Sequence, residues 1–426
     1  MEGSSHSFKP LNDIDPYNIK KVLSIVHYGR AGSYFFASLL DNHPEVITFP
    51  SGMIMSYSSF FEEVKGKPAN FVIDEFFKVY RGLFDPEHLE SHFSLHKMGE
   101  NQDEILTIDR NHFRDALIHF LSYRIQSFHL EGVPCDLFFR AIHLAFAECI
   151  GQRLETRNPV IAFSQHIPAA YFGKFMVGHF EEIQFIHMVR NPIQGWTSWY
   201  AVTSKEEKGC HDAFYRMLSK SCEFGGPIFA PCSATSRAIR LEDLKLKPKE
   251  VMEALIQWMK ISWHDNLLES TFGGKLWNFT STDKIVSGFD KSIISRKHKE
   301  HLTWYDKIRL KTILYHAYKA WGYPIKDIYG TNLMKRLVAR STVFLPFRMQ
   351  RKVWLKKLKD ILARPRGTKS NRKEKSLNQK FRIARRIFYY FLEDHSKCSD
   401  YVKKNLSKPR VPQNNYVQLL YDPSKK

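Results

Sequence analysis

Two arginines, each with a hydroxyl close behind it, carry the spacing most suggestive of chemistry. One lies in Arg30-Ala31-Gly32-Ser33, and the other opens Arg190-Asn191-Pro192, with Ser198 further along the same segment. A guanidinium stays protonated and offers a planar fork that matches phosphate oxygens, so both places suit an anion. The elements around them fit that use. Val22, Leu23, Ile25 and Val26 form the short apolar run of a buried parallel strand, and Phe35, Phe36, Leu39 and Leu40 fall at helical spacing after the Gly29–Ser33 loop. At such a helix start several backbone N–H groups have no carbonyl partner, and small residues let an oxyanion approach them. Downstream, Ile183, Phe185, Ile186, Met188 and Val189 read as a second buried strand that ends at Arg190. Asn191 suits the cap of the next helix, Pro192 suits its first turn, and Ser198 lies two turns inside. Each segment also has a plainer reading: an ordinary strand-turn-helix for the first, and a strand-end salt bridge with a self-bonded serine for the second.

The loop excludes two nucleotide classes. It has no Lys after Gly32, so the G-x-x-x-x-G-K-[ST] pattern that holds terminal phosphates and magnesium is missing, and a nucleotide kinase is disfavoured. There is no G-x-G-x-x-G fingerprint either, which argues against a dinucleotide-binding dehydrogenase. The expected fold class is α/β with a doubly wound parallel sheet, and Arg190 at its strand's carboxyl end and Ser198 would face the crevice where such folds bind ligands.

Taken together, the two segments resemble the sulfotransferase superfamily, which uses 3′-phosphoadenosine 5′-phosphosulfate (PAPS) as sulfonyl donor. In that family a [KR]-x-G-[ST] loop binds the 5′-phosphosulfate and R-x-P-x-x-x-x-x-S binds the 3′-phosphate. The resemblance assigns Arg30, Ala31, Gly32, Ser33 and Tyr34, together with Arg190 and Ser198, to the donor. It extends to Pro159–Pro168, whose His166 matches the histidine that deprotonates the acceptor hydroxyl in cytosolic members. It extends also to the Glu242-Asp243 pair with Pro248, and to Val286–Leu302 with Arg296, Lys297 and Lys299. His166 and Arg30 are thereby implied as catalytic, the first as base and the second at the leaving phosphate, with no metal required. The chain departs from the cytosolic pattern in several places. Arg30 stands for Lys, Tyr34-Phe35 for a Thr-Trp pair, Leu241 for Tyr, and Ser164 for a Lys beside the transferring group. His143 and His187 are read as structural.

Charge separates the chain into unequal parts. The 426 residues carry a net charge of +20, yet residues 331–426 hold 26 Lys and Arg against 6 Asp and Glu, so residues 1–330 are balanced. The expected organisation is an amino-terminal arm over 1–19, a P-loop NTPase-like sulfotransferase domain over 20–330, and a basic helical extension over 331–426. Within the domain, a helical substrate insert spans about 51–157, where Phe71–Arg81, Asn111–Phe128 and Leu137–Arg153 show amphipathic patterns. In the extension, Val353–Leu362 and Phe381–Leu392 mix apolar and basic residues. Such helices pack with their charges outward, bind an acidic acceptor, or lie on an anionic membrane surface. No base-reading module argues for nucleic acid.

Cys135, Cys149, Cys210, Cys222, Cys232 and Cys398 show no metal spacing, and neither a signal peptide nor an eighteen-residue apolar run is present. A soluble, bacterial-type member is therefore expected, located in the cytoplasm or peripherally at its membrane. Its acceptor would be a hydroxyl or amine on a carbohydrate, lipid or small metabolite. The alternative is a noncatalytic nucleotide-binding or membrane-associated protein on the same fold.

Overall fold

A computed structural model of the chain describes residues 11–26, 30–50, 54, 57–85, 98–165, 179–191, 193–195, 197–198, 235–281, 284–286, 288–295, 303–313, 318, 321–324, 355, 359 and 418–423. The apolar runs become the strands β1 (Lys21–Val26), β2 (Val46–Thr48), β3 (Val160–Gln165), β4 (Glu182–Val189) and β5 (Ser236–Arg240). Two short antiparallel ribbons follow, β6 (Thr271–Phe272) with β7 (Lys275–Leu276) and β8 (Phe279–Ser281) with β9 (Lys284–Val286). A last short strand, β10 (Gln418–Leu419), comes at the far end of the chain.

Six strands form one sheet in the order β10-β5-β4-β1-β3-β2, and every pairing within it is parallel. Val22, Leu23, Ile25 and Val26 of the central strand are fully buried, as a strand covered on both faces requires. The chain leaves β1 towards β2 on one side and β4 towards β5 on the other, so the connections diverge between the neighbours β1 and β4. Ligands of open α/β sheets bind at such a switch point, outside the carboxyl ends of the strands.

The helices of the same unit as the sheet are α1 (Ser33–Ser38), α2 (Tyr57–Val64), α3 (Ala69–Val79), α4 (Arg110–Ser122), α5 (Cys135–Cys149), α6 (Leu241–Leu246), α7 (Pro248–Met259) and α8 (Ser292–Ser295); α9 (Trp304–Ile313) belongs to a second unit. Residues 57–149 hold α2 to α5, and the interior between these helices is aromatic. Phe76 stacks on Phe113 at 5.9 Å, meets Phe138 edge-on at 5.7 Å, and Phe139 carries the cluster to Phe163 of β3 at 5.2 Å. Edge-to-face and offset rings of this kind add about 0.5–1.5 kcal/mol each beyond their burial. Asp109 caps α4 through His112 N at 2.7 Å, and Pro248 opens α7, as its sequence position suggests.

The chain divides into two compact units. The first comprises Met1–Arg190, Cys232–Arg296 and Val417–Lys426; the second comprises Asn191–Pro231 and Lys297–Tyr416. Two parts of the first bear on the expected organisation. In residues 11–19, Ile14 and Ile19 are fully buried. Residues 418–419, at the far end of the segment expected as an extension, add the edge strand beside β5. In the second unit α9 is capped reciprocally: Thr303 N donates to the Asp306 carboxylate at 3.0 Å, and Asp306 N to Thr303 Oγ1 at 3.1 Å. The helices expected over 353–362 and 381–392 fall largely outside the described residues. Among the described residues no helix is long and apolar enough to cross a membrane.

Candidate anion site at the sheet switch point

Strand register decides which residues meet at the switch point. Val26, the last residue of β1, is level with Gln165 of β3 and His187 of β4. β4 continues past that level, pairing Met188 and Val189 with Ile239 and Arg240 of β5. It thereby carries Arg190 up beside the loop that follows β1, where its Nη1 donates to the Arg30 carbonyl at 3.4 Å. The two arginines that stand 160 residues apart in sequence are neighbours in the fold.

The loop itself is under conformational constraint. Arg30 has φ 55° and Gly32 φ 81°, both in the left-handed region, where a residue other than glycine is uncommon and sits at a cost. Gly32 also faces Leu241 of α6 so closely that a Cβ on it would lie 2.5 Å from Leu241 Cδ1. The Leu241 side chain thus closes the back of the loop. Ser33 is buried at the start of α1, and burial pushes the Tyr34 hydroxyl up to about 12, so it stays neutral.

Arg190 is held from a second direction as well. Its Nη2 donates to Ile293 O at 3.0 Å, at the beginning of α8. Asp290 caps that helix, accepting from Ser292 N at 2.8 Å and Ser292 Oγ at 2.7 Å. The other end of this segment is fastened by Lys245 of α6, whose ammonium donates to the Gly288 carbonyl and lies 3.2 Å from the centre of the Phe35 ring. Phe289 meets Phe35 edge-on at 5.2 Å, so α1, α6 and residues 288–293 form one packed group. Burial pushes Lys245 down to about 7; Asp290 opposes the fall and Arg190 adds to it.

Lys245 was not among the residues singled out from sequence. A signal was available, since Leu241, Leu244 and Lys245 fall one helical turn apart on the buried face of α6. A lysine at a core position of an amphipathic helix is itself unusual. Arg240 and Asp243, at the end of β5 and the start of α6, pair at 2.5 Å.

The remaining predicted residues have different standings. His166 lies outside the described residues, as do Arg296, Lys297 and Lys299, and β3 is described only to Gln165. Ser198 belongs to the second unit, where it is buried on a helical segment. That segment is started by Asn191, whose Oδ1 accepts from Gln194 N at 3.3 Å and from Tyr318 Oη at 3.1 Å. His143 and His187 are fully enclosed, and burial pushes both down to about 4, which suits neutral core residues. His143 Nδ1 donates to Phe139 O at 2.7 Å. Cys135 and Cys149 are free thiols; the other four cysteines are outside the described residues.

Comparison with known proteins gives limited matches. No family model matches the sequence, and no curated protein matches it. Among solved structures, the fold is similar to a sulfotransferase domain from the Synechococcus PCC 7002 olefin synthase. The identity there is 13%, with 72% of this chain and 96% of that one covered and a TM-score of 0.38. A sulfotransferase domain from the curacin biosynthetic pathway is similar to the same degree, with 13% identity, 72% and 99% coverage and a TM-score of 0.37.

Proposed function

We propose that this chain is a sulfotransferase that takes a sulfonyl group from PAPS and passes it to a hydroxyl or amine on a carbohydrate, lipid or small metabolite. The observation that carries the reading is the meeting of Arg190 and the Arg30 loop at the switch point, 3.4 Å apart through the Arg30 carbonyl. The held guanidinium of Arg190, a constrained small-residue loop that carries Arg30, and the buried ammonium of Lys245 fit a ligand with more than one phosphate-like group. They offer charge without a carboxylate cluster.

When bound, the donor supplies a sulfonyl group whose bond to the 5′-phosphate oxygen breaks as the acceptor oxygen bonds to sulfur. Arg30 stays protonated, so its part is to stabilise the charge left on the departing phosphate; a well-aimed donor of this kind contributes roughly 3 kcal/mol. Arg190 orients the other end of the nucleotide, with Ser198 as its partner in the family pattern. His166 takes the acceptor proton, a role open to an imidazole whose pKa lies near the working pH.

Thermal unfolding with 3′-phosphoadenosine 5′-phosphate, in the absence of magnesium, tests the reading. The expected result is a clear rise in Tm that Arg190→Ala abolishes. An equal rise with ATP would overturn the donor assignment. Stabilisation by the nucleotide without transfer of labelled sulfonyl to any member of a hydroxyl and amine library would favour the noncatalytic alternative.

A further inference from the structure

We propose that Lys245 is the positioning residue of the anion site, and that an anion held by Arg190 is bound together with a proton taken up by Lys245. The inference rests on the reading of the switch point as a site for a phosphate-bearing donor and adds a coupling that this reading does not contain.

The argument begins with what surrounds the ammonium. Lys245 is 3% exposed, and its Nζ is fixed between the Gly288 carbonyl and the face of Phe35, with the Phe289 ring 5.9 Å away. The carbonyl and the aromatic faces are attractive to a cation. The charged groups that act on it are Asp290, from the segment it fastens, and Arg190, from the end of β4. α1 presents the Phe35 ring. On α6 itself Asp243 is committed to Arg240, and Glu242 lies in the first turn. The nearby carboxylate is thus offset by a nearby guanidinium, while burial opposes the charged form of Lys245 throughout.

Lys245 and Arg190 are also linked mechanically. Lys245 holds one end of residues 288–293 at Gly288, and Arg190 holds the other at Ile293 while reaching the Arg30 carbonyl. The ammonium therefore helps to set where the Arg190 fork lies. An oxyanion on Arg190 cancels the like-charge repulsion felt by Lys245 and favours its protonated form. By linkage, protonation of Lys245 must favour the anion to the same extent. With the unliganded amine near 7 and the liganded one higher, affinity is greatest below that value and falls as pH rises between the two.

Isothermal titration of the full chain with 3′-phosphoadenosine 5′-phosphate, in buffers of differing ionisation enthalpy, reads the proton directly. At about pH 8 the nucleotide phosphates are already ionised, since their second pKa is near ~6, so they contribute little. Wild type should take up a measurable fraction of a proton per nucleotide, with affinity falling as pH rises above neutrality. Lys245→Arg keeps the charge but cannot release it, so it should bind with no uptake and a flat profile. Lys245→Met should bind more weakly, also without uptake. Uptake by Lys245→Arg equal to that of wild type, or none by wild type, overturns the proposal. Sulfate titrated in the same way separates this inference from the donor assignment. Lys245-dependent uptake with sulfate, when the nucleotide fails to bind, would leave the coupling standing and remove the sulfotransferase reading; binding by neither ligand removes both.

Discussion

Two buried cations in the first unit, Arg140 and Lys245, solve the same problem differently. Arg140, 2% exposed on α5, is fully compensated. Its Nη1 is paired with the Asp136 carboxylate, its Nε donates to Ile19 O at 3.1 Å, its Nη2 to His179 O at 2.6 Å, and Phe180 lies 4.0 Å beneath the guanidinium. The Asp136 pair lies within α5, and the other contacts tie α5 to the segment before β1 and the segment before β4. Lys245 has one carbonyl, one aromatic face and a carboxylate whose attraction Arg190 offsets. The contrast separates structure from function. A buried charge whose field is cancelled locally is a clamp. One left short of negative charge, next to a second cation at a sheet switch point, is the half of an interaction that an anion completes.

The most severe way to break the comparison is on the compensated side. Arg140→Leu leaves Asp136 buried without its partner, and losing one member of such a pair costs roughly 3–5 kcal/mol. Urea denaturation should show that loss, and Asp136→Leu added to Arg140→Leu should restore much of it, because an apolar pair of similar volume leaves no stranded charge. Lys245→Met should do the opposite at neutral pH: the unliganded protein loses a poorly compensated ammonium and keeps an unbranched side chain against Phe35. A loss as large as that of Arg140→Leu would show Lys245 to be a clamp as well. Gly32→Ala should fall between these. It forces a Cβ into a left-handed residue, at about 1–2 kcal/mol, and against Leu241 Cδ1 at 2.5 Å. Leu241→Ala in that background should relieve the collision but not the backbone cost, so the two changes together should cost less than the sum of their separate losses.

What the sequence made legible follows the same division. The parallel strands were visible because β1 and β4 are continuous apolar runs, and the loop and Arg190 because small residues and arginines punctuate strand ends. The insert helices α3, α4 and α5 were visible from their periodicity, whereas α2 was not singled out. The order of the strands was not readable, since only pairing places β4 beside β1 and so brings Arg190 to Arg30. β10 was invisible for a different reason: two residues of a short run near the end of the chain become a strand only because β5 offers them an edge. Lys245 escaped notice because a single lysine in a short amphipathic helix reads as an outward-facing residue until burial is seen.

The smallest expected effect sharpens the comparison most, because it changes the charge around Lys245 without touching the lysine. Asp290→Asn keeps an acceptor for Ser292 N, so the start of α8 remains capped and the stability loss should stay below about 1 kcal/mol. It removes the carboxylate whose charge raises the lysine and leaves the carbonyl and aromatic contacts, so Lys245 should fall further below its present value near 7. The sign is fixed by linkage. The unfolded lysine keeps its proton to about 10.4, while the folded one releases it near 7, so stability rises with pH across that interval. In Asp290→Asn the rise should begin at lower pH, and chemical denaturation across the neutral range should show the displaced onset. In Lys245→Arg carrying the same change, this lysine-dependent rise should vanish. An onset that stays where it was would mean that Asp290 exerts no hold on Lys245, and the ammonium would then be balanced by its carbonyl and aromatic contacts alone, as a clamp is.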